Sequence, residues 1–156
     1  MRSGLALVVF LALAFAAAAI GGVSAAGGTG EWYESLRLPS WRPPNWVFGP
    51  VWTVLYVMIA VAAWLVWRER GADGATEALA VWAVQLALNA AWTGLFFGLH
   101  RPGLAFAEIV VLALAVAATI VLFARVSPPA ALLLVPYLGW VCFAALLNGV
   151  IWNLNR

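Results

Sequence analysis

Hydrophobic residues dominate the chain in five long uncharged blocks, which short polar stretches separate. The blocks cover residues 3–30, 43–67, 78–99, 102–124 and 126–155, and Glu108 is the one charged residue inside them. A helix needs about 20 apolar residues to cross the hydrocarbon core of a bilayer. Each block reaches that length, so the pattern predicts transmembrane helices at about residues 4–26, 47–68, 76–99, 102–125 and 129–153.

Composition agrees with a membrane protein. The chain is 66% hydrophobic and 9% charged, whereas soluble domains carry roughly 25% charged residues. The blocks lack the period-two alternation of β-barrel strands and are too long for them. The predicted fold class is therefore an all-α membrane protein, a five-transmembrane-helix bundle that forms a single domain over residues 1–156. The eight arginines divide four against four between the two sides, so the positive-inside rule gives no orientation.

The first block has a second interpretation, because Arg2, an apolar run and then the small residues 23–25 resemble a secretory signal peptide. Cleavage there would leave four spans. The uncharged block continues to residue 30, which is long for a signal peptide. We therefore favour a first helix that is retained.

The loop between the first two spans, residues 27–45, is unusually rich in aromatic residues and proline. Trp32, Tyr33 and Trp41 make it too apolar for a free linker, and Pro39 and Pro43 stiffen it. Such a loop either folds back as a lid over the helix ends or lies along the lipid headgroups. We favour the lid.

The third span has two contrasting faces. A polar and aromatic stripe contains Gln85, Asn89, Trp92 and Phe96, and about 200° around the helix lies a stripe of small residues, Ala87, Ala91, Gly94 and Gly98. Small residues let transmembrane helices approach closely, so this face predicts a homodimer interface. Amides gain nothing from contact with lipid, so the polar face is predicted to look into the bundle.

Two other spans carry residues that could line a pocket together with the polar face. These are Trp52 and Tyr56 on the second span, and Trp140, Ala144, Leu147 and Asn148 on the fifth. Amides among several aromatic rings are typical of a pocket for a large, flat, apolar ligand. The alternative is that Gln85 and Asn89 only form hydrogen bonds between helices. We favour the pocket.

Three isolated groups offer little chemistry. Glu108 is a functional candidate because it is an intramembrane carboxylate, but it lies near the start of its helix, where we expect hydration and a structural role. His100 lies in a polar turn, so we interpret it as a solvated loop residue rather than a haem ligand. Cys142 is interpreted as a small apolar filler. We predict no metal site and find no conventional catalytic constellation.

Residues 32–56 read WYESLRLPSWRPPNWVFGPVWTVLY, the third span contains QLALNAAWTGLFFG, and the fifth contains PYLGWVCFAALLN. This long tryptophan and proline pattern resembles the TspO/MBR family, the tryptophan-rich sensory proteins and translocator proteins, which include the peripheral benzodiazepine receptor. The resemblance runs from about Trp32 to the C-terminus, whereas the first helix matches only in being apolar.

The resemblance implies a five-helix bundle, often dimeric, with a pocket beneath the first loop. Family members bind tetrapyrroles such as protoporphyrin IX and haem, and some bind cholesterol or benzodiazepine-type drugs. The pocket positions that match are Tyr33, Trp41, Pro43, Trp52, Tyr56, Asn89, Trp92, Trp140, Ala144 and Asn148, to which the face analysis adds Gln85 and Leu147. Some members are reported to promote light- and oxygen-dependent porphyrin breakdown, which makes Trp52 and Trp140 the catalytic candidates, with Trp32 and Trp41 assisting.

We therefore expect a tetrapyrrole-binding protein of the bacterial inner membrane, acting in porphyrin handling or oxidative-stress signalling. It would need no further cofactor, and its partners would be the tetrapyrrole, a sterol or lipid, and a second copy, but no nucleic acid. Arg37 or Arg42 would meet the propionates. The alternatives are porphyrin photodegradation and porphyrin or sterol transport, although the chain shows no internal repeat. The family's sterol pattern needs a tyrosine that residues 149–156, GVIWNLNR, lack.

Overall fold

Long helices make up almost all of the computed structural model, which describes residues 2–25 and 31–156. The helices are α1 (Ser3–Ala25), α2 (Glu31–Ser35), α3 (Asn45–Gly74), α4 (Thr76–Thr93), α5 (Pro102–Ala124) and α6 (Pro128–Asn155), and a π-helical turn (Gly94–Gly98) continues α4. No strand occurs in these ranges. Five of the described helices, all except α2, are long and apolar enough to cross a membrane. The predicted five-span helical bundle is confirmed.

The five long helices close into a ring. α1 packs against α3 and α4, α6 packs against α3 and α5, and α4 packs against α5. The order around the bundle is therefore α1, α3, α6, α5, α4. Large apolar side chains such as Leu114 and Leu132 are exposed on the outer surface, as lipid-facing residues are. Fully buried alanines on α3, including Ala60 and Ala63, let the neighbouring helices approach closely.

The end of α3 differs from the prediction. The second span was predicted to end at about residue 68, but α3 continues to Gly74, and the regular helix breaks only at Gly71, whose φ of 71° lies in the left-handed region. Glycine adopts that conformation without steric cost. A charged residue does not end a helix once the chain has left the hydrocarbon core, which explains the difference.

The π-helical turn at the end of α4 is built on a wide hydrogen bond. The Leu99 N–H donates to the Gly94 carbonyl at 2.8 Å, five residues back. Such a turn accommodates one extra residue in an otherwise α-helical segment. His100, with a φ of 55°, then closes the connection to α5.

Glycine allows α5 and α6 to pack tightly at the end of the bundle that carries the loop. A Cβ atom added to Gly149 would lie 2.8 Å from the ring of Phe106, and one added to Gly103 would lie 2.7 Å from the Trp152 indole nitrogen. These contacts leave no room for a side chain at either glycine. They also set the position of Asn148, the residue before Gly149, along the axis of α5.

Candidate ligand-binding site

A cavity of about 430 Å³ lies inside the bundle, between α1, α3, α4 with its π-helical turn, and α6. Eight of the eighteen residues that line it are aromatic: Phe15, Tyr33, Phe48, Trp52, Tyr56, Trp92, Phe96 and Phe97. The polar residues of the wall are Asn45, Thr53, Thr93 and Asn148. Among the described residues, α5 contributes nothing to the lining. The site is therefore an apolar chamber with a few polar groups at defined positions, as ligand pockets usually are.

The described part of the loop, residues 31–44, covers one end of the cavity, and we call it the lid. The start of the predicted loop, residues 27–30, lies outside the described residues. Tyr33 belongs to the lid and is buried, and its ring lies 5.6 Å from that of Phe97. Trp32 stacks on His100 with a centroid distance of 4.3 Å and an interplanar angle of 7°. These contacts place the loop against the bundle, in the position that the lid interpretation predicts.

Polar contacts hold the lid at two places. At the first, the Asn155 side chain pairs with the backbone of Arg37: the Arg37 N–H donates to Asn155 Oδ1 at 2.8 Å, and Asn155 Nδ2 donates to the Arg37 carbonyl at 2.9 Å. At the second, Asn45 Nδ2 donates to Glu34 Oε1 at 2.9 Å, and Arg42 Nη1 donates to Asn45 Oδ1 at 3.1 Å. The lid is thus tied both to the end of α6 and to the start of α3.

Tyr33 connects this polar cluster with the cavity. It lines the cavity, and the Arg42 guanidinium lies 5.6 Å from its ring centroid. Burial raises the pKa of the Tyr33 hydroxyl, and the neighbouring Arg42 partly offsets that rise. The hydroxyl therefore stays protonated at neutral pH and can donate a hydrogen bond at the lid.

A buried hydrogen-bond network lies behind the cavity wall. The Tyr56 hydroxyl donates to Asn89 Oδ1 at 2.5 Å, Asn89 Nδ2 donates to the Tyr137 hydroxyl at 2.9 Å, and that hydroxyl donates to Gln85 Oε1 at 2.7 Å. Gln85 and Asn89 face the bundle interior as predicted, but their side chains bond between helices and do not line the cavity. Tyr137 also belongs to the network, which was not predicted from the sequence.

A second set of bonds joins three helices at the cavity itself. The Trp92 indole N–H donates to Asn148 Oδ1 at 2.9 Å, and Asn148 Nδ2 donates to the Pro102 carbonyl at 2.8 Å. Trp92 and Asn148 both line the cavity. Their polar groups orient each other, so the Trp92 ring is held in a fixed position on the wall.

The two catalytic candidates occupy different positions. Trp52 lines the cavity, whereas Trp140 lies behind it, with ring centroids 6.5 Å apart and planes at 85°. The Trp140 N–H is buried and has no hydrogen-bond acceptor among the described residues. From Trp140 the aromatic contacts continue to Phe143 at 5.5 Å and on to Trp41 at 6.0 Å. Trp41 is 47% exposed, so a row of rings runs from the cavity wall to the surface.

Seven of the twelve predicted ligand-binding residues line the cavity together: Tyr33, Trp52, Tyr56, Trp92, Ala144, Leu147 and Asn148. The other five lie outside the lining: Trp41, Pro43, Gln85, Asn89 and Trp140. Ligand contact by any of the twelve stays a prediction. The cavity lining also includes four residues of α1 that were not predicted: Phe15, Ala18, Gly21 and Gly22. The first span is apolar all round, so no periodic signal distinguishes this face.

The small face of α4 and Cys142 lie away from the cavity. Ala87, Ala91 and Gly98 are exposed on the outside of the bundle and Gly94 is half-buried, so the small face is open to a partner, and the dimer stays a prediction. Cys142 is exposed on the outer surface rather than buried.

Glu108 differs from the expected hydrated group, because both carboxyl oxygens are buried without a hydrogen-bond partner among the described residues. His100 is exposed in the turn, as predicted, and also supports the lid through its stack with Trp32. Within residues 2–25 and 31–156, no three His, Cys, Asp or Glu side chains come together in a group that could hold a metal ion.

Comparison with known proteins identifies the family. The TspO/MBR family model matches residues 8–153. The chain is 44% identical over 128 residues to the translocator proteins of Ovis aries and Homo sapiens, which covers 81% of this chain and 76% of each relative. It is 41% identical over 155 residues to Protein CrtK of Rhodobacter capsulatus, which covers 97% of this chain and 95% of that protein. The chain therefore belongs to the TspO/MBR family and is an integral, multi-pass membrane protein.

Proposed function

We propose that this protein binds a tetrapyrrole, such as protoporphyrin IX or haem, in the cavity beneath the lid, and that it acts in porphyrin handling or oxidative-stress signalling in the bacterial inner membrane. The observation that carries the proposal is the aromatic cavity of about 430 Å³. That volume lies within the range of roughly 300–1,000 Å³ that is usual for ligand pockets. A flat macrocycle suits a chamber whose wall carries eight aromatic rings.

The polar groups of the wall supply orientation. Tyr33, Tyr56 and Asn148 line the cavity from α2, α3 and α6 respectively. The buried network behind the wall fixes Tyr56, and the bond to Trp92 fixes Asn148. A rigid pocket loses less conformational entropy when its ligand binds, which favours affinity.

The structure favours Arg42 over Arg37 as the group that meets an anionic substituent. Arg42 contacts Asn45 and Tyr33, which both line the cavity. Arg37 is held through its backbone at the end of α6, away from these residues. We therefore assign the propionate contact to Arg42.

The test is quenching of tryptophan fluorescence while purified protein is titrated with protoporphyrin IX in the dark. Saturable quenching is expected. Ala144 lines the cavity and is nearly fully buried, so Ala144→Phe should fill the cavity and abolish saturable binding. Leu132→Phe, on the exposed surface of the same helix, is the matched control and should bind like the parent protein. Equal binding by both variants would place the ligand elsewhere and refute the proposal.

A second candidate function is light-driven porphyrin degradation, which the row of rings from Trp52 through Trp140 and Phe143 to Trp41 favours. The described residues offer no conventional catalytic group here, so the bound porphyrin would absorb the light, molecular oxygen would oxidise its ring, and tryptophan radicals would limit the leakage of reactive species. Trp52→Phe combined with Trp140→Phe should abolish bleaching of the bound porphyrin under light, while binding in the dark persists. Bleaching at the parent rate would reject this function.

The assembly proposed with this function is a homodimer through the small face of α4. Ala87, Ala91 and Gly98 are exposed there, and their small size permits close contact between helices. The cavity lies on the opposite side of α4, so pairing would leave the binding site free.

A further inference from the structure

Glu34 and Arg42 form a loose ion pair on the lid. Arg42 Nη2 lies 3.6 Å from Glu34 Oε2, and the two side chains are 27% and 52% exposed respectively. Asn45 joins them, since its Nδ2 donates to Glu34 Oε1 at 2.9 Å and its Oδ1 accepts from Arg42 at 3.1 Å. We call these three side chains the lid triad.

The lid triad lies at the rim of the cavity. Asn45 is part of the cavity lining, and Arg42 lies over the ring of Tyr33, which is also part of it. Arg42 itself is not in the lining. Glu34 is the more exposed partner, so the ion pair holds the guanidinium on the solvent side of the residues that border the cavity.

The geometry points to Glu34 as an internal competitor for the carboxylate of the ligand, which lowers the affinity of the lid for ligands that carry carboxylates and leaves its affinity for uncharged ligands unchanged. This inference rests on the proposed function. Without a ligand, Glu34 forms the ion pair with Arg42. In the complex, a carboxylate of the ligand replaces Glu34 in that pair. A guanidinium forms its strongest contacts with carboxylates through paired N–H donors, and the 3.6 Å separation from Glu34 is longer than a hydrogen bond.

Glu34→Gln tests the inference, because glutamine keeps an acceptor oxygen for Asn45 and replaces the charged oxygen that faces Arg42 with an uncharged NH2 group. Partly exposed ion pairs are weak, so binding of a dicarboxylate porphyrin should tighten by about two- to five-fold. Arg42→Gln should weaken the same binding on the order of ten-fold, as expected for the loss of a charge-assisted contact.

The experiment compares two probes, protoporphyrin IX and its uncharged dimethyl ester, by fluorescence quenching in the same detergent. It uses the parent protein, Glu34→Gln, Arg42→Gln and the double variant. Glu69→Gln is the matched charge control, because Glu69 is exposed near the far end of α3, about 36 Å along the helix from Asn45.

The inference predicts that Glu34→Gln tightens binding of the free acid alone, that the ester is unaffected, and that the gain disappears when Arg42 is also replaced. A gain for both probes, a gain that persists without Arg42, or no gain beyond that of Glu69→Gln would overturn it. In those cases both porphyrins still bind and the proposed function stands. A parent protein that binds neither probe saturably would instead refute the proposed function and the inference with it.

Discussion

Asn155, near the end of α6, holds the backbone of Arg37 with both ends of its carboxamide, at 2.8 Å and 2.9 Å. The two residues are 118 positions apart in the chain. Asn155 Nδ2 also donates to the Ile151 carbonyl one turn back on its own helix. This side chain therefore copies the hydrogen bonding of a peptide group and docks the lid onto the last turn of the bundle.

Replacing this contact should open the lid. Asn155→Ala removes the two hydrogen bonds to the lid, worth about 1 kcal/mol each, so a bound porphyrin should dissociate up to about thirty-fold faster. Stopped-flow displacement measures that rate. Asn153→Ala, on the exposed surface of the same turn, should release ligand at the parent rate. Equal rates in the two variants would show that Asn155 does not hold the lid.

The buried network should contribute to the stability of the bundle. Asn89→Ala leaves the hydroxyl of Tyr56 and the hydroxyl of Tyr137 each without one partner. Hydrogen bonds between transmembrane helices contribute about 0.6 kcal/mol on average and up to about 1.7, so the two together predict a loss of about 1–3 kcal/mol. Thermal unfolding in detergent measures it. Val84→Ala, at an exposed position of α4, should leave the midpoint unchanged, and an Asn89→Ala midpoint equal to it would contradict the prediction.

Two glycines of α6 provide a matched comparison of packing. Gly149 lies against Phe106, where an added Cβ would sit at 2.8 Å, whereas nothing lies within 4 Å of a Cβ at Gly139. Gly149→Ala should force α5 and α6 apart and destabilise the protein by about 1–3 kcal/mol. Gly139→Ala should be neutral or slightly stabilising, because alanine favours the helix. If both variants melt at the same temperature, the close approach of α5 and α6 is not required.

The homodimer makes a prediction about particle size. Gly98→Leu adds a large side chain to the exposed small face of α4, so it should shift the detergent-solubilised protein from dimer to monomer. Size-exclusion chromatography with light scattering reports the mass. Gly139→Leu, at the open position on α6, is the control and should remain dimeric. An unchanged mass for Gly98→Leu would exclude this face as the interface.

The sequence predicted the helices well because lipid offers no hydrogen-bond partner to backbone N–H and C=O groups. A long uncharged run in a membrane must therefore satisfy these groups internally, as a helix does. It also predicted the orientation of α4, because Gln85 and Asn89 cannot face lipid. The short helix α2 was not predicted, as five residues carry no periodic signal.

The wall of the cavity was predictable only where polar or tryptophan-rich patterns marked it. Phe15 and Gly21 of α1 lie in a uniformly apolar segment, so nothing in their spacing distinguishes a cavity-facing side from a lipid-facing side. Tyr137 was hidden for a different reason. An aromatic side chain can serve as wall or as hydrogen-bond partner, and only the three-dimensional register with Gln85 and Asn89 assigns it to the buried network.

The π-helical turn at Gly94–Gly98 also affects how relatives should be aligned with this chain. The turn holds one residue more than a regular α-helix of the same length would, and it lies between Trp92, which lines the cavity, and Pro102, which begins α5. A homologue whose α4 stays regular to its end should therefore be one residue shorter between these two positions. An alignment without that gap would pair Phe96 and Phe97 with residues that point in other directions, and it would make two similar pockets look different.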